Sequence, residues 1–294
     1  MSAAHVRTLK PGDEAQVEAL LAAHADSSLF LRRNLLEGFV DRARRYHGTW
    51  AAAFEAGRVV AVAQHSRFGT MLFQAPAHVA DVTRAAARAS ERPVSGFVGP
   101  WSQALSARAA LGLDGAPMRM QSHEGLYALS LDALVVPAPL ARGAWRCRRA
   151  GADELDLLAG WRAGYRVETN AEVESSALRL SSREDVEAGL AEGAAWVLEA
   201  DGTPVAYQQF NAMLPDVVQV GGVWTPPPLR GRGYARAVVA GALLAARADG
   251  VRRGVLFTGE NNVPAQRAYA ALGFRRVGDW ALIFLETPAR AIVA

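Results

Sequence analysis

Apolar and polar positions run through this chain in two successions of the same kind. Residues 7–24 and 148–165 each pass from a short polar strand end into a Gly-Asp or Gly-Ala-Asp helix start, then into apolar positions at helical spacing. Strand, tight glycine turn and strand follow in both, from Trp50 through Gly57 to Gln64 and from Trp196 through Gly202 to Gln208, with one extra residue expected in the second turn. Further on, Ala109-Ala110-Leu111-Gly112-Leu113 is echoed by Ala270-Ala271-Leu272-Gly273-Phe274, each after a helical stretch and before a strand pair. The pattern predicts an internal duplication with a period of roughly 145–160 residues. Between the copies, Val135 to Gly143 carries two prolines and a glycine and reads as a linker. The expected domains are therefore 1–134 and 144–294, joined by 135–143.

Composition narrows the chemistry. The chain has 294 residues, 51% hydrophobic and 21% charged, which is ordinary globular material. Its formal charge of +3 is too small to argue for nucleic acid, and the short arginine groups lack the aromatic interleaving of a nucleic-acid platform. The single cysteine, Cys147, excludes an internal disulfide and any cysteine-cluster metal site. No apolar run reaches the roughly 18 residues that span a bilayer, and the first residues lack a signal-peptide core. The expectation is a cytoplasmic protein without metal, nucleic-acid or membrane partner, monomeric or homodimeric.

The most informative stretch runs from Val223-Trp224-Thr225 through three prolines to Leu229-Arg230-Gly231-Arg232-Gly233-Tyr234-Ala235, with a strong helix former behind it. A glycine and arginine turn opening a helix aims unpaired amides, at the positive end of the helix dipole, toward one point. Gly231 and Gly233 let a phosphate approach the main chain, so the turn is a diphosphate cradle. It is not a P-loop, because the only lysine of the chain is Lys10. Nor is it a dinucleotide fingerprint, since the third glycine position is Arg236.

Arg230-x-x-Gly233-x-Ala235 after a strand resembles the acetyl-CoA signature of the GNAT superfamily of N-acetyltransferases. A second segment, Asn262-x-x-Ala265 leading to Tyr269-x-x-x-Gly273-Phe274, is similar to that superfamily's later motif and stands in the right strand-helix-strand order, before strands at 276–278 and 280–285. The resemblance covers roughly Trp145 to Leu285. It implies an α/β protein of two tandem GNAT-like domains, each a mixed, mostly antiparallel sheet flanked by helices. It also implies acetyl transfer from acetyl-CoA directly to an amine of a small molecule or peptide, with an acyl-CoA sensor as the non-catalytic alternative.

Position by position, the resemblance assigns the diphosphate to Arg230 and the amides of Gly231, Arg232, Gly233 and Ala235. Thr225 and Asn262 would hold the pantetheine arm, Val223 N–H would polarise the thioester carbonyl, and Tyr269 would protonate the leaving thiolate. All six histidines precede residue 124, so a local base would be a carboxylate, a tyrosine or water. Glu168 is the candidate, with His123-Glu124 as one from the first half. The acidic run from Glu168 to Glu174 faintly favours a cationic acceptor. The first half has no Arg-Gly-x-Gly turn, and Arg108 stands where Tyr269 does, so it reads as a degenerate copy; an unrelated α/β domain is the alternative.

Overall fold

In the computed structural model, residues 4–39, 46–170 and 172–292 are described. They form two compact units, one of residues 1–126 with 277–294 and one of residues 127–276. Unit 1 opens with β1 (His5–Thr8), α1 (Glu14–Ala23), α2 (Leu29–Leu35), β2 (Gly48–Glu55), β3 (Arg58–Ser66) and β4 (Thr70–Gln74). It continues with α3 (Val79–Ser90), β5 (Val94–Pro100), α4 (Trp101–Ala110) and β6 (Met118–Ser130), whose last four residues belong to unit 2. Unit 2 then holds α5 (Ala138–Ala141), β7 (Trp145–Arg149), α6 (Leu155–Asn170), α7 (Ser176–Ala191), β8 (Ala195–Ala200), β9 (Thr203–Met213), β10 (Val217–Trp224), α8 (Tyr234–Ala248), β11 (Arg253–Gly259) and α9 (Val263–Ala270). The final strand, β12 (Arg275–Ala289), lies in unit 1 except for its first two residues.

Strand order in unit 1 is β1-β2-β3-β4-β5-β12-β6, and in unit 2 it is β6-β11-β10-β9-β8-β7. The duplication is visible in this order. Strands β1 to β5 and β7 to β11 follow one another in the same sequence. Each set contains a parallel pair, β4 with β5 and β10 with β11, bridged by α3 or α8. Both hairpins turn on two left-handed residues, Ala56-Gly57 (φ 46° and 76°) and Asp201-Gly202 (φ 51° and 72°). Glu55 faces Arg58 and Ala200 faces Thr203, so the turns are equal in length and the extra residue expected in the second is absent.

Two boundaries differ from the sequence reading. The Val135–Gly143 segment is built into unit 2: α5 packs on β7, and Val135 N–H donates to the Leu272 carbonyl at 3.0 Å. Two prolines fix its backbone, which explains the sequence signal without making it an open tether. The strands expected at 276–278 and 280–285 are one strand, and that strand pairs antiparallel with β5 of unit 1 from Trp280↔Pro100 to Phe284↔Gly96. Ala281, Ile283 and Leu285 join the core of unit 1 beside Met71, Phe73 and Phe97.

The core of unit 2 lies on one face of its sheet, under α8. Val238, Val239, Ala242 and Leu243 pack there against Leu198, Ala206, Phe210 and Val220. A second cluster on α6 and α7, with Leu158, Val186, Tyr207 and Trp224, covers the other face. Period-two alternation on β9 divides its residues between these faces: Ala206 and Phe210 face α8, while Tyr207 faces α6 and α7.

Candidate active site

The site is built where β10 leaves its parallel partner. Pairing of β10 with β11 covers Val217↔Arg253 to Gln219↔Val255 and then stops, although β10 continues five residues and β11 four. On its other side β10 is irregular. Gly221 faces Gln209 and Trp224 faces Tyr207, so Gly222 and Val223 bulge with only Gln208 opposite them. Gly222 adopts φ 57°, a left-handed turn of the chain that a side chain would strain. Val223 thus lies half-buried at a notch, off the regular ladders of both neighbouring strands.

Pro226 to Pro228 end the strand, and the chain reaches α8 through Gly231 (φ 78°) and Gly233 (φ 86°), the latter being the helix N-cap. No acidic residue occupies the first turn of α8. Among the described residues the amides of Gly231, Arg232, Gly233 and Ala235 have no protein acceptor. Thr225, buried at 8% exposure, likewise leaves its Oγ1 without a partner. Unpaired donors at a helix start beside a parted strand pair fit an anionic, hydrogen-bonding cofactor arm such as acetyl-CoA.

The other expected residues are placed as follows. Arg230 does not point freely into the cradle. Its Nε donates to the Thr225 carbonyl at 2.9 Å, its guanidinium lies 4.8 Å from the Trp224 ring centroid, and its two terminal nitrogens chelate Glu168 at 2.9 and 2.8 Å. Glu168, the candidate base, therefore has both of its oxygens accepting from Arg230. Arg232 is exposed beside the glycines. Asn262 caps α9, its Oδ1 accepting from the Ala265 amide at 3.2 Å. Tyr269, on α9, is half-buried and stands edge-on to Phe274 with centroids 6.0 Å apart.

The other carboxylates of the acidic run are paired as well. Glu172 is chelated by Arg166 at 3.0 and 2.7 Å, and Glu174 accepts from Arg179 at 2.6 Å. Cys147 packs against α8 with its thiol pushed up to about 12 by burial, so it stays protonated and is no nucleophile. His123 belongs to unit 1, stacked on Trp101 at 4.2 Å and 3.6 Å from Asp279. Its neighbour Glu124 accepts from Ser122, and burial pushes its carboxyl up.

Sequence reasoning missed a polar group on the α6 and α7 face of the bulge. Arg162 (α6), Asp185 (α7), Tyr207 and Gln209 (β9) meet next to Gly222. Tyr207 donates to Gln209 Oε1 at 2.5 Å, and burial holds its phenol well above the usual range. The signal available in the sequence was the Gly221-Gly222 pair, two missing side chains in a row inside a strand.

Comparison with known proteins bears on family and fold. Residues 161–274 match the family model described as the acetyltransferase (GNAT) family. A GCN5-related N-acetyltransferase from Sphaerobacter thermophilus is 18% identical with a TM-score of 0.59, covering 99% of this chain and 98% of its own. A tandem GNAT protein from the clavulanic acid biosynthesis pathway, without AcCoA, is 15% identical with a TM-score of 0.54 over 96% of this chain and 98% of its own. A GNAT-family acetyltransferase from Colwellia psychrerythraea is 12% identical, TM-score 0.54, over 96% and 100%. At these identities the likeness is one of fold. No curated protein matches the chain. Among the described residues, no helix is long and apolar enough to cross a membrane.

Proposed function

We propose that unit 2 is an acetyl-CoA-dependent N-acetyltransferase that moves an acetyl group directly onto the amine of a small molecule or peptide. The observation that carries this reading is the conjunction of the parted β10–β11 pair with the left-handed glycine turn that opens α8. When bound, the donor supplies an activated acetyl thioester. Amides of Gly231, Arg232, Gly233 and Ala235 bind its diphosphate, and the Arg230 side chain braces the loop from behind. Thr225 and Asn262 orient the arm. Val223 N–H donates to the carbonyl oxygen as that atom gains negative charge, a preorganised contact. The Tyr269 phenol gives its proton to the departing sulfur. With Glu168 chelated, ordered water takes the proton of the attacking amine.

The test is thiol release with acetyl-CoA and a broad amine and peptide panel. Tyr269→Phe lowers kcat by about 10–100-fold and leaves the acetyl-CoA Kd within about threefold of wild type, the split expected of an interaction made only in the transition state. A protein that binds acetyl-CoA yet releases thiol to no amine, and to no water, is a sensor and ends the enzyme reading.

A further inference from the structure

Two arginines of α6 lie close to Asp185, and they are not equally satisfied. Arg166 chelates Glu172, donates to Ser181 Oγ at 2.8 Å, and approaches Asp185 at 3.7 Å. Arg162 has one long contact to Asp185 Oδ2 at 3.4 Å and the Tyr165 ring at 5.3 Å. Its Nε is buried without an acceptor, its Nη1 has none among the described residues, and its side chain is only 16% exposed. A guanidinium so enclosed and so poorly paired is costly unless a planar anion completes its hydrogen bonds.

Its position says what that anion belongs to. Arg162 Nη1 lies 2.9 Å from where a Cβ on Gly222 would stand, and Gly222 immediately precedes Val223. One strand residue spans about 3.3 Å, so an anion held by Nη1 would lie beside the place where an amine attacks opposite Val223. The missing side chains of Gly221 and Gly222 make room for two others, Asn211 over Gly221 and Arg162 over Gly222. Gln209 and Tyr207 stand beside it, each 4.0 Å from where a Cβ on Gly222 would be.

We infer that unit 2 acetylates a small amine that carries a carboxylate beside the amine, an amino acid or a compound of that form, and that Arg162 is the specificity-determining residue for the carboxylate. The inference rests on the acetyl-transfer reading above, which an acetyl-CoA binding measurement on the same protein checks separately.

The experiment measures thiol release by the full chain with the common L-α-amino acids, each against its own carboxamide. At least one acid is turned over, and its amide loses about a hundredfold in kcat/KM, the scale of a charged hydrogen bond left unmade. Arg162→Gln raises KM for the acid by a similar factor, changes the amide by less than about threefold, and leaves acetyl-CoA affinity intact; Arg162→Lys recovers part of the loss. Equal use of acid and amide by wild type overturns the inference, as does an Arg162→Gln variant that weakens both alike. Where no acid is turned over, calorimetry with the same acids, with and without saturating coenzyme A, decides: absence of binding in both overturns it. Failure to bind acetyl-CoA defeats the transfer reading instead. Should Arg162→Gln melt early, the wild-type acid-to-amide ratio alone decides between carboxylate recognition and its absence.

Discussion

The two halves of this molecule begin their crossover helices in the same unusual way and fill the site differently. Both α3 and α8 start from a left-handed N-cap, His78 at φ 54° and Gly233 at φ 86°. In unit 2 the cap is a glycine, with exposed arginines near it and no acid in the first turn. In unit 1 the cap is a histidine whose Nε2 meets Glu55 at 2.7 Å, and Asp81 occupies the first turn of the helix. The place where one copy offers bare amides to an anion is, in the other, supplied with carboxylates.

The strand notch differs likewise. β4 and β5 pair from Thr70↔Gly96 to Leu72↔Val98, matching β10 and β11, but only two residues of β4 follow. The Phe73 ring lies 2.6 Å from where a Cβ on Gly99 would stand, and Gln103 Oε1 accepts from the Ala75 amide at 2.7 Å. Counted back from the prolines that end the strands, Pro76 and Pro226, Phe73 and Ala75 stand where Val223 and Thr225 do. In unit 1 the corresponding place is thus filled by the protein's own side chains.

That contrast can be broken at several points. Phe73→Ala, at 1% exposure, removes the plug and costs about 3–5 kcal/mol in urea unfolding of unit 1 without creating acetyl-CoA binding. Undiminished stability would mean the ring fills nothing. Gly233→Val puts a β-branched residue at φ 86° and a methyl pair in the path of the diphosphate; calorimetry should show acetyl-CoA affinity falling by about a hundredfold or more. The matching change His78→Gly leaves it unaltered. A Gly233→Val protein that binds normally would mean that the turn holds no diphosphate.

Acid distinguishes the halves next. All six histidines lie in unit 1. Burial, with Arg92 nearby, pulls His65 down to about 4, and the ring stays neutral between Ser90 Oγ and the Gly69 carbonyl. The unfolded chain takes up that proton near pH 6.5, so stability present above this pH is lost as pH falls toward 4, by about 3 kcal/mol at most. Unfolding midpoints followed against pH should show this loss in wild type, and a flatter profile in His65→Gln. The smallest effect belongs to Glu168→Gln. An exposed ion pair contributes under about 1 kcal/mol, and with ordered water as base kcat stays within about threefold. A kcat collapse at all pH values would restore Glu168 as the base.

Much of the site was legible because its signals are local. Prolines end β10, glycines shape the next turn, and alanines and leucines propagate α8, all within some thirty residues. What stayed hidden depends on partners far away in sequence. The chelate of Glu168 by Arg230 joins residues 62 apart, and nothing at either position announces it. Arg162 and Arg166 look equivalent on a helix, and only the fold assigns Glu172 to one and leaves the other short of acceptors. The alternation of β12 marks it as a strand but names no neighbour, so its place beside β5 could not be read.

That last strand has a consequence for how the protein is made. Unit 1 encloses Ala281, Ile283 and Leu285 in its core, yet these residues are translated more than 150 positions after Leu126, where its first segment ends. Until they arrive, β5 waits on the ribosome as an open edge, and unit 2 has already been synthesised in full. The half that comes first from the ribosome is the half completed last, a high-contact-order closure that slows folding and lengthens exposure to chaperones.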